Sequence, residues 1–359
     1  MVLFIELVQI SLGARTCLSK VPSESEWQDI YQMAEKQALL GLLFSAIEKL
    51  NEKEKSFMPP MPLFYQWMGI VLNTESRNKR LNDAADQLTR VFKNGGLRSC
   101  VLKGQGIARL YPQPFRRQPG DIDLWVEGKR DEIVQWLRDN NIKTGGVVYH
   151  HVDADFFDDV NVEIHFIPGW VYHPVINHKL QRFYRECASR QFNNIDKSVG
   201  FAYPTCEFNS VYILAHIYMH FLFEGIGLRQ FIDYYYVLID LPEDKRNDAR
   251  NQIVRVGLEK FAKAVMYVLQ VVTGIQEEYL LFEPNEKKGK QLLEEILYSG
   301  NFGQYDTRFH RTTNETMLRQ NTRLLKRQLK LLNSYPIDVI TVPFWKIVHY
   351  IWRKYKGYL

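Results

Sequence analysis

The 359-residue chain has little cysteine, and what it has is scattered: Cys17, Cys100, Cys187 and Cys206 form no C-x-x-C pair. That excludes a disulfide framework or a cysteine-based zinc module. It reads instead as the reduced, mostly buried thiols of a cytoplasmic protein. No run approaches the ~18 apolar residues that a membrane span needs. The opening MVLFIELVQISLGA is apolar but lacks a basic leader and carries Glu6, so it reads as an amphipathic helix and not as a signal peptide. Neither sign of charge dominates, with 46 Lys/Arg against 41 Asp/Glu and a net charge of +5. This mild excess suits a nucleotide substrate and permits nucleic acid without requiring it. No period of roughly 20–50 residues repeats, which excludes a solenoid. What the chain does have is apolar and aromatic material, 46% hydrophobic with 20 Tyr and 21 Phe, enough for a packed core.

Hydrophobic periodicity divides the chain into three stretches. Residues 1–75 read as an N-terminal helical segment, with one helix over 26–50 behind a Ser23 or Ser25 cap and a charged, proline-rich loop over 51–62. A long helix over 63–93, ending at Asn94-Gly95-Gly96, leads into an α/β core over 76–200. That core is expected to contain strand 98–102, helix 104–111, strand 121–126, helix 129–140 and a hairpin-like pair at 146–156 and 160–166. Residues 201–359 return to helix, at 207–223, 228–240, 244–272, 286–299, 312–333 and 340–356. The expected fold is α+β: a small mixed sheet flanked by helical segments.

The chemistry concentrates in LKGQGIARLYPQPFRRQPGDIDL, Leu102 to Leu124. Strand residues two apart share a face, so Asp121 and Asp123 point together while Ile122 and Leu124 enter the core. Two adjacent carboxylates repel unless a cation lies between them. In the last strand Val160, Val162, Ile164 and Phe166 alternate with Asn161, Glu163 and His165, which puts a third carboxylate on a polar face. Three hard oxygen ligands suit Mg²⁺ or Mn²⁺. The turn Lys103-Gly104-Gln105-Gly106, between strand and helix, offers backbone N–H groups to phosphates. Arg116 and Arg117 lie on a loop within reach of phosphate oxygens, to which arginine makes forked contacts, while whichever of the two points away reads as a solvated loop arginine.

This string, followed by VEIHF, resembles a bacterial family of uncharacterised nucleotidyltransferases in the DNA polymerase β superfamily. The shared pattern is a Leu-Lys-Gly turn, a Tyr-Pro, an arginine before Asp-Ile-Asp-Leu, a later Glu-x-His, and LAHIYMHFLFEGIGLRQFIDYYY (Leu214 to Tyr236). A more distant similarity runs to abortive-infection toxins and aminoglycoside nucleotidyltransferases. The resemblance implies that Asp121, Asp123 and Glu163 are the metal-binding and catalytic carboxylates, with Glu163 assisting deprotonation. It implies that Lys103 and Gly104 grip the phosphates of an NTP, and that the helical region holding Arg229 and Asp233 closes over the site. Two departures stand out. Gln105 occupies a place usually held by Gly or Ser, and the 17 residues from Gly104 to Asp121 are a longer spacing than usual.

His216 and His220 share a helix face, but a zinc site would need further ligands. The pair reads as one histidine facing the cleft near substrate phosphates and the other packing or hydrogen-bonding. Arg229 and Asp233, also four apart, read as either a helical ion pair or substrate contacts. His150 and His151 lie where only one can face the carboxylates, and His165 is placed to support Glu163. The basic stretch from Arg319 to Lys330 and the Trp345–Lys356 segment with its aromatics fit nucleic acid or an anionic membrane. Their periodicity more simply fits amphipathic helices that pack their apolar faces. The function expected is transfer of an NMP from an NTP to a hydroxyl of an unknown acceptor, releasing pyrophosphate. The alternatives are a catalytically inactive nucleotide-binding or regulatory protein of the same fold, or a toxin-type enzyme acting on tRNA or protein.

Overall fold

A computed structural model describes residues 1–309 and 317–358. Local sequence signals place most of its elements. Ser23 caps α2 (Glu24–Lys36) with a full capping box to Glu26. The single helix expected over 26–50 is in fact two, because Ala38 turns left-handed (φ 57°) between α2 and α3 (Leu40–Lys53). Gly257 (φ 99°) likewise splits the expected 244–272 helix into α10 (Glu243–Val256) and α11 (Glu259–Thr273). The N-terminal helix α1 (Val2–Leu12) is not amphipathic in use: Leu3, Phe4, Leu7, Val8 and Ile10 are all buried, and so is Glu6, which pairs with Arg15. Of the four free cysteines only Cys100 is buried, while Cys17 is exposed.

Helix α4 (Met61–Asn94) spans about 50 Å at 1.5 Å per residue and bridges two apolar cores. Its first turns, with Leu63, Trp67 and Val71, join a large core shared by the N-terminal and C-terminal helices. Its last turns, with Leu81, Leu88 and Phe92, support one face of the sheet together with α6 (Arg130–Asp139).

The sheet contains β1 (Ser99–Leu102), β2 (Ile122–Val126), β3 (His151–Asp153) and β4 (Val162–His165), in the order β1-β2-β4-β3. Only the central β2–β4 pair is parallel, so the sheet is mixed, as expected. Val101, Ile122, Leu124, Val152, Val162 and Ile164 face the α4 side. The opposite face carries Cys100, Leu102 and Trp125 into the large core. It also carries Asp123, Glu163, His165 and His151, which share its strand parity. A short helix, α5 (Gly104–Ala108), follows β1 and stops short of the expected residue 111. Helix α7 (Pro174–Phe192) and a two-stranded hairpin of β5 (Ile195–Asp196) and β6 (Phe201–Ala202) complete the middle of the chain without having been anticipated.

Over the polar face lie α8 (Cys206–Phe223), capped by Thr205, and α9 (Leu228–Asp240). Helix α12 is Glu286–Ser299, and the chain ends in α13 (Met317–Leu331) and α14 (Pro336–Lys356). The part of the expected 312–333 helix before Met317 lies outside the described residues. Helix α14 departs from expectation in its packing. Of its residues only Asp338, Val339 and Val342 are buried, and a long apolar face is left exposed. No helix among the described residues is long and apolar enough to cross a membrane.

Candidate active site

Strand register assembles the acidic cluster. Asp123 of β2 is the partner of Glu163 on the parallel neighbour β4, and Leu102 of β1 is its partner on the other side. Asp121 immediately precedes β2 and falls on the same side as Asp123. Ligand oxygens of Asp121, Asp123 and Glu163 all lie within 4.8 Å of one another. Because β1 ends opposite Asp123, the next residue, Lys103, reaches it, with Nζ 2.8 Å from Asp123 Oδ1.

Lys103 adopts φ 47°, ψ −135°, a conformation that costs a non-glycine residue about 1–3 kcal/mol. The ion pair with Asp123 helps to hold it there. The two glycines that follow act for different reasons. Gly104 has a positive φ of 25°. At Gly106 a Cβ would come within 2.7 Å of the Val101 carbonyl oxygen, because α5 packs directly against β1. Helix α5 is five residues long, so any phosphate contact here rests on the turn itself and on Lys103 more than on a helix dipole. The Gln105 side chain is turned away from the site. It is buried and donates to the Asn78 carbonyl and to Asn82 Oδ1 on α4.

The carboxylates are far from equivalent. The Asp123 charge beside it, and then burial, push Asp121 up to about 6. Burial works against ionised Asp123 too, but Lys103 and His165 outweigh it and hold its carboxyl well below the usual range. His165 Nε2 donates to Asp123 Oδ1 at 2.9 Å and to Glu163 Oε2 at 3.1 Å. Burial alone would strip His165 of its proton, yet these bonds raise it to about 9, so it is an imidazolium at neutral pH. Glu163 is lowered against burial by the same hydrogen bond.

Three hard carboxylates face two cations, Lys103 and His165, which leaves one negative charge uncompensated. With the donor oxygens this close together, the residues fit a divalent cation such as Mg²⁺ or Mn²⁺. A second convergence adjoins it, because His151 Nδ1 lies 3.3 Å from Glu163 Oε2. His150, expected to face elsewhere if His151 faced the carboxylates, is instead tied to His151 (Nε2 to Nδ1, 3.0 Å) and lines the same cavity. Burial keeps both neutral, with His151 lowered to about 4.

The arginines part company. Arg116 turns away to Glu48 and Glu75. Arg117, fully buried, donates from Nε and Nη2 to the two oxygens of Asp233, both at 2.7 Å. Tyr111, the tyrosine of the Tyr-Pro motif, donates its hydroxyl to the same carboxylate at 2.7 Å. The helical pair Arg229–Asp233 is therefore not formed: Asp233 is engaged by a residue 116 positions away. Among the described residues, Arg229 Nη1 donates to the Gln118 carbonyl alone and its buried Nε has no hydrogen-bond partner. Burial, and then the nearby Arg117 charge, lower Arg229 to about 10.

Two adjoining cavities meet at Lys103 and Asp121. The larger, about 350 Å³, is lined by Glu163, His150, His151, His165, Trp170 and Tyr212, and by His216 and His220 from α8. The smaller, about 40 Å³, is lined by Gly104, Arg117, Asp123, Arg229 and Asp233. Both helix histidines thus line the cleft, where one was expected to face it and the other to pack or hydrogen-bond. Burial holds His216 neutral, and Nδ1 of His220 lies 3.4 Å from Glu224. Trp170, Tyr212 and Phe302 went unnoticed in the sequence, since isolated aromatics in a chain this rich in them carry no signal.

No curated protein and no solved structure matches the chain. A family model described as uncharacterised nucleotidyltransferase matches residues 23–274, well over half the chain, and it spans every cleft residue named above except Phe302. The chain belongs to this uncharacterised nucleotidyltransferase family.

Proposed function

We propose that the protein is a metal-dependent nucleotidyltransferase of the polymerase β type, moving an NMP from an NTP to an acceptor hydroxyl. The observation that carries this reading is the three-carboxylate cluster Asp121–Asp123–Glu163, built by strand register and flanked by Lys103 and an arginine with no carboxylate partner. Asp121, Asp123 and Glu163 hold the divalent cation, which when bound neutralises phosphate charge and makes the attacking hydroxyl more acidic.

The rest falls to the chain's own groups. Lys103 and Arg229, which line the smaller cavity together with Asp121, bind phosphate oxygens there. Arg117 keeps Asp233 neutralised, which leaves the Arg229 charge available to the phosphates. The 350 Å³ cavity is large enough for a nucleoside and part of an acceptor. Glu163 lines that cavity and takes the hydroxyl proton as the oxygen–phosphorus bond forms and the bond to pyrophosphate breaks. Its hydrogen bond from His165 orients it for that role.

The unusual Gln105 motivated an inactive reading. Its side chain is spent on α4 and lines neither cavity, so it does not obstruct the cleft. The test is transfer of label from each [α-³²P]NTP with Mg²⁺ or Mn²⁺ to a panel of acceptors and to a cell extract. Label transferred by the wild type and lost in Asp121→Asn plus Asp123→Asn supports the proposal. If that double variant binds NTP with metal and transfers label as well as the wild type does, the proposal is wrong.

A further inference from the structure

Helix α14 exposes its apolar side. Ile337, Ile340, Phe344, Ile347, Ile351 and Tyr355 follow one another at three- and four-residue steps, so they form one continuous stripe. Each is at least half exposed, from 50% at Ile337 to 87% at Tyr355. The opposite side of the helix is the one that packs. Trp345 lies against Tyr149 and Trp170 with ring centroids 5.0 Å apart, and Tyr358, just beyond the helix, bonds to Asp131. A stripe of this length facing solvent marks a surface that something covers.

The charge around it says what. Residues 316–359 carry nine Lys/Arg and a single acid, Asp338. The rest of the chain, with 37 basic and 40 acidic residues, is net negative, so these two helices account for the whole basic balance. Asp338 is buried and accepts from Tyr218, Arg327 is buried against Asp306 and Glu295, and Lys356 pairs with Asp131, so the exposed cations beside the stripe include Lys354 and, on α13, Lys326. Neighbouring α13 adds exposed Leu325 and Leu329 beside Lys326.

We infer that α14, with the exposed edge of α13, docks flat on an anionic bilayer surface. An in-plane amphipathic helix needs an apolar face to enter the acyl boundary and cations at its flanks to meet headgroup phosphates, and both are present. A second copy of the chain suits the face less well. Pairing two such stripes would bring Lys354 of each copy toward a partner helix whose one acid, Asp338, is buried. Nucleic acid fits less well still, because the centre of the face is aliphatic where strands are bound by stacking rings and cations. Trp170 packs on the inner side of α14 and lines the large cavity, so the cavity rim lies about one helix diameter, ~10 Å, from the docked face. The inference is independent of the reaction proposed for the acidic site.

Flotation of the full-length protein with vesicles tests it. Vesicles of phosphatidylcholine mixed with phosphatidylglycerol should carry the wild type upward, and pure phosphatidylcholine or high salt should carry much less. The double variant Ile347→Glu plus Ile351→Glu, checked for an unchanged circular dichroism spectrum and melting, should lose at least about tenfold in partitioning, since burial of two large aliphatic side chains is removed. Lys354→Glu plus Lys326→Glu should weaken binding to the anionic vesicles while retaining fold. Light scattering in parallel reports oligomeric state. A protein that stays with the pellet regardless of lipid, or a dimer that the glutamate pair converts to monomer without any vesicle binding, overturns the proposal.

Discussion

Asp233 gives both carboxylate oxygens to Arg117 and none to Arg229, one turn earlier on its own helix. A buried arginine without a carboxylate partner is costly, and one that lines the wall of a cleft beside Asp121 is poised for an anion from outside. Arg229→Ala should therefore weaken binding of a non-hydrolysable NTP analogue by roughly 10–100-fold, the worth of one charge-assisted hydrogen bond or two. Thermal stability without ligand should hold or rise, because an uncompensated buried cation disappears. Calorimetry for binding and a melting curve for stability separate the two effects. A large loss of stability with unchanged nucleotide affinity would assign Arg229 to the fold alone.

Arg117→Ala is expected to behave in the opposite way. It strands Asp233 and the Tyr111 hydroxyl in a buried site, and breaking such a pair from one side typically costs about 3–5 kcal/mol. The variant should melt well below the wild type, and Arg117→Lys should recover only part of the loss because a lysine cannot reproduce the forked contact.

The same pair has a defined acid sensitivity. Burial opposes ionised Asp233, but Arg117 holds its carboxyl below the ordinary range. A carboxyl depressed on folding contributes stability that is fully present above its unfolded value of about 3.9, and this is lost as pH falls through the folded value. Wild-type stability should therefore drop steeply below about pH 4, and Asp233→Asn, less stable at neutral pH, should show a shallower drop over that window. Melting temperature measured from neutral to acidic pH decides it; parallel curves would assign the acid transition to other groups.

Much of the site was legible in the sequence because it depends on parity along short strands. Alternation put Asp121 and Asp123 on one face and Glu163 on a polar face of a later strand, and the register of β2 against β4 brings the three together. What sequence could not show was long-range pairing. The i, i+4 spacing of Arg229 and Asp233 suggested a local bond, while the choice of Arg117 depends on α4, where Asn78 donates to the Phe115 and Arg117 carbonyls and holds the loop in place. Helix breaks at Ala38 and Gly257 were missed because apolar periodicity runs through both. The inverted packing of α14 was missed for a related reason: periodicity reveals that a helix has an apolar face, and only the tertiary structure reveals which way it points.

The two aspartates should respond differently to neutralisation in metal-free protein. Asp121 is raised to about 6 mainly by repulsion from Asp123, so its charge destabilises the fold. Asp121→Asn should stabilise by about 1 kcal/mol, a value discounted from the full shift because the side chain is partly open to solvent. Asp123 instead accepts from Lys103 and His165, both cationic and enclosed. Asp123→Asn leaves them facing one another with only Asp121 and Glu163 nearby, and should cost about 3 kcal/mol. Added Mn²⁺ should raise the melting temperature of the wild type and do little for either variant, since each has lost a ligand oxygen's charge. This pattern separates a metal site from a structural salt-bridge cluster. In a purely structural cluster both substitutions would destabilise, and Mn²⁺ would leave all three proteins unchanged.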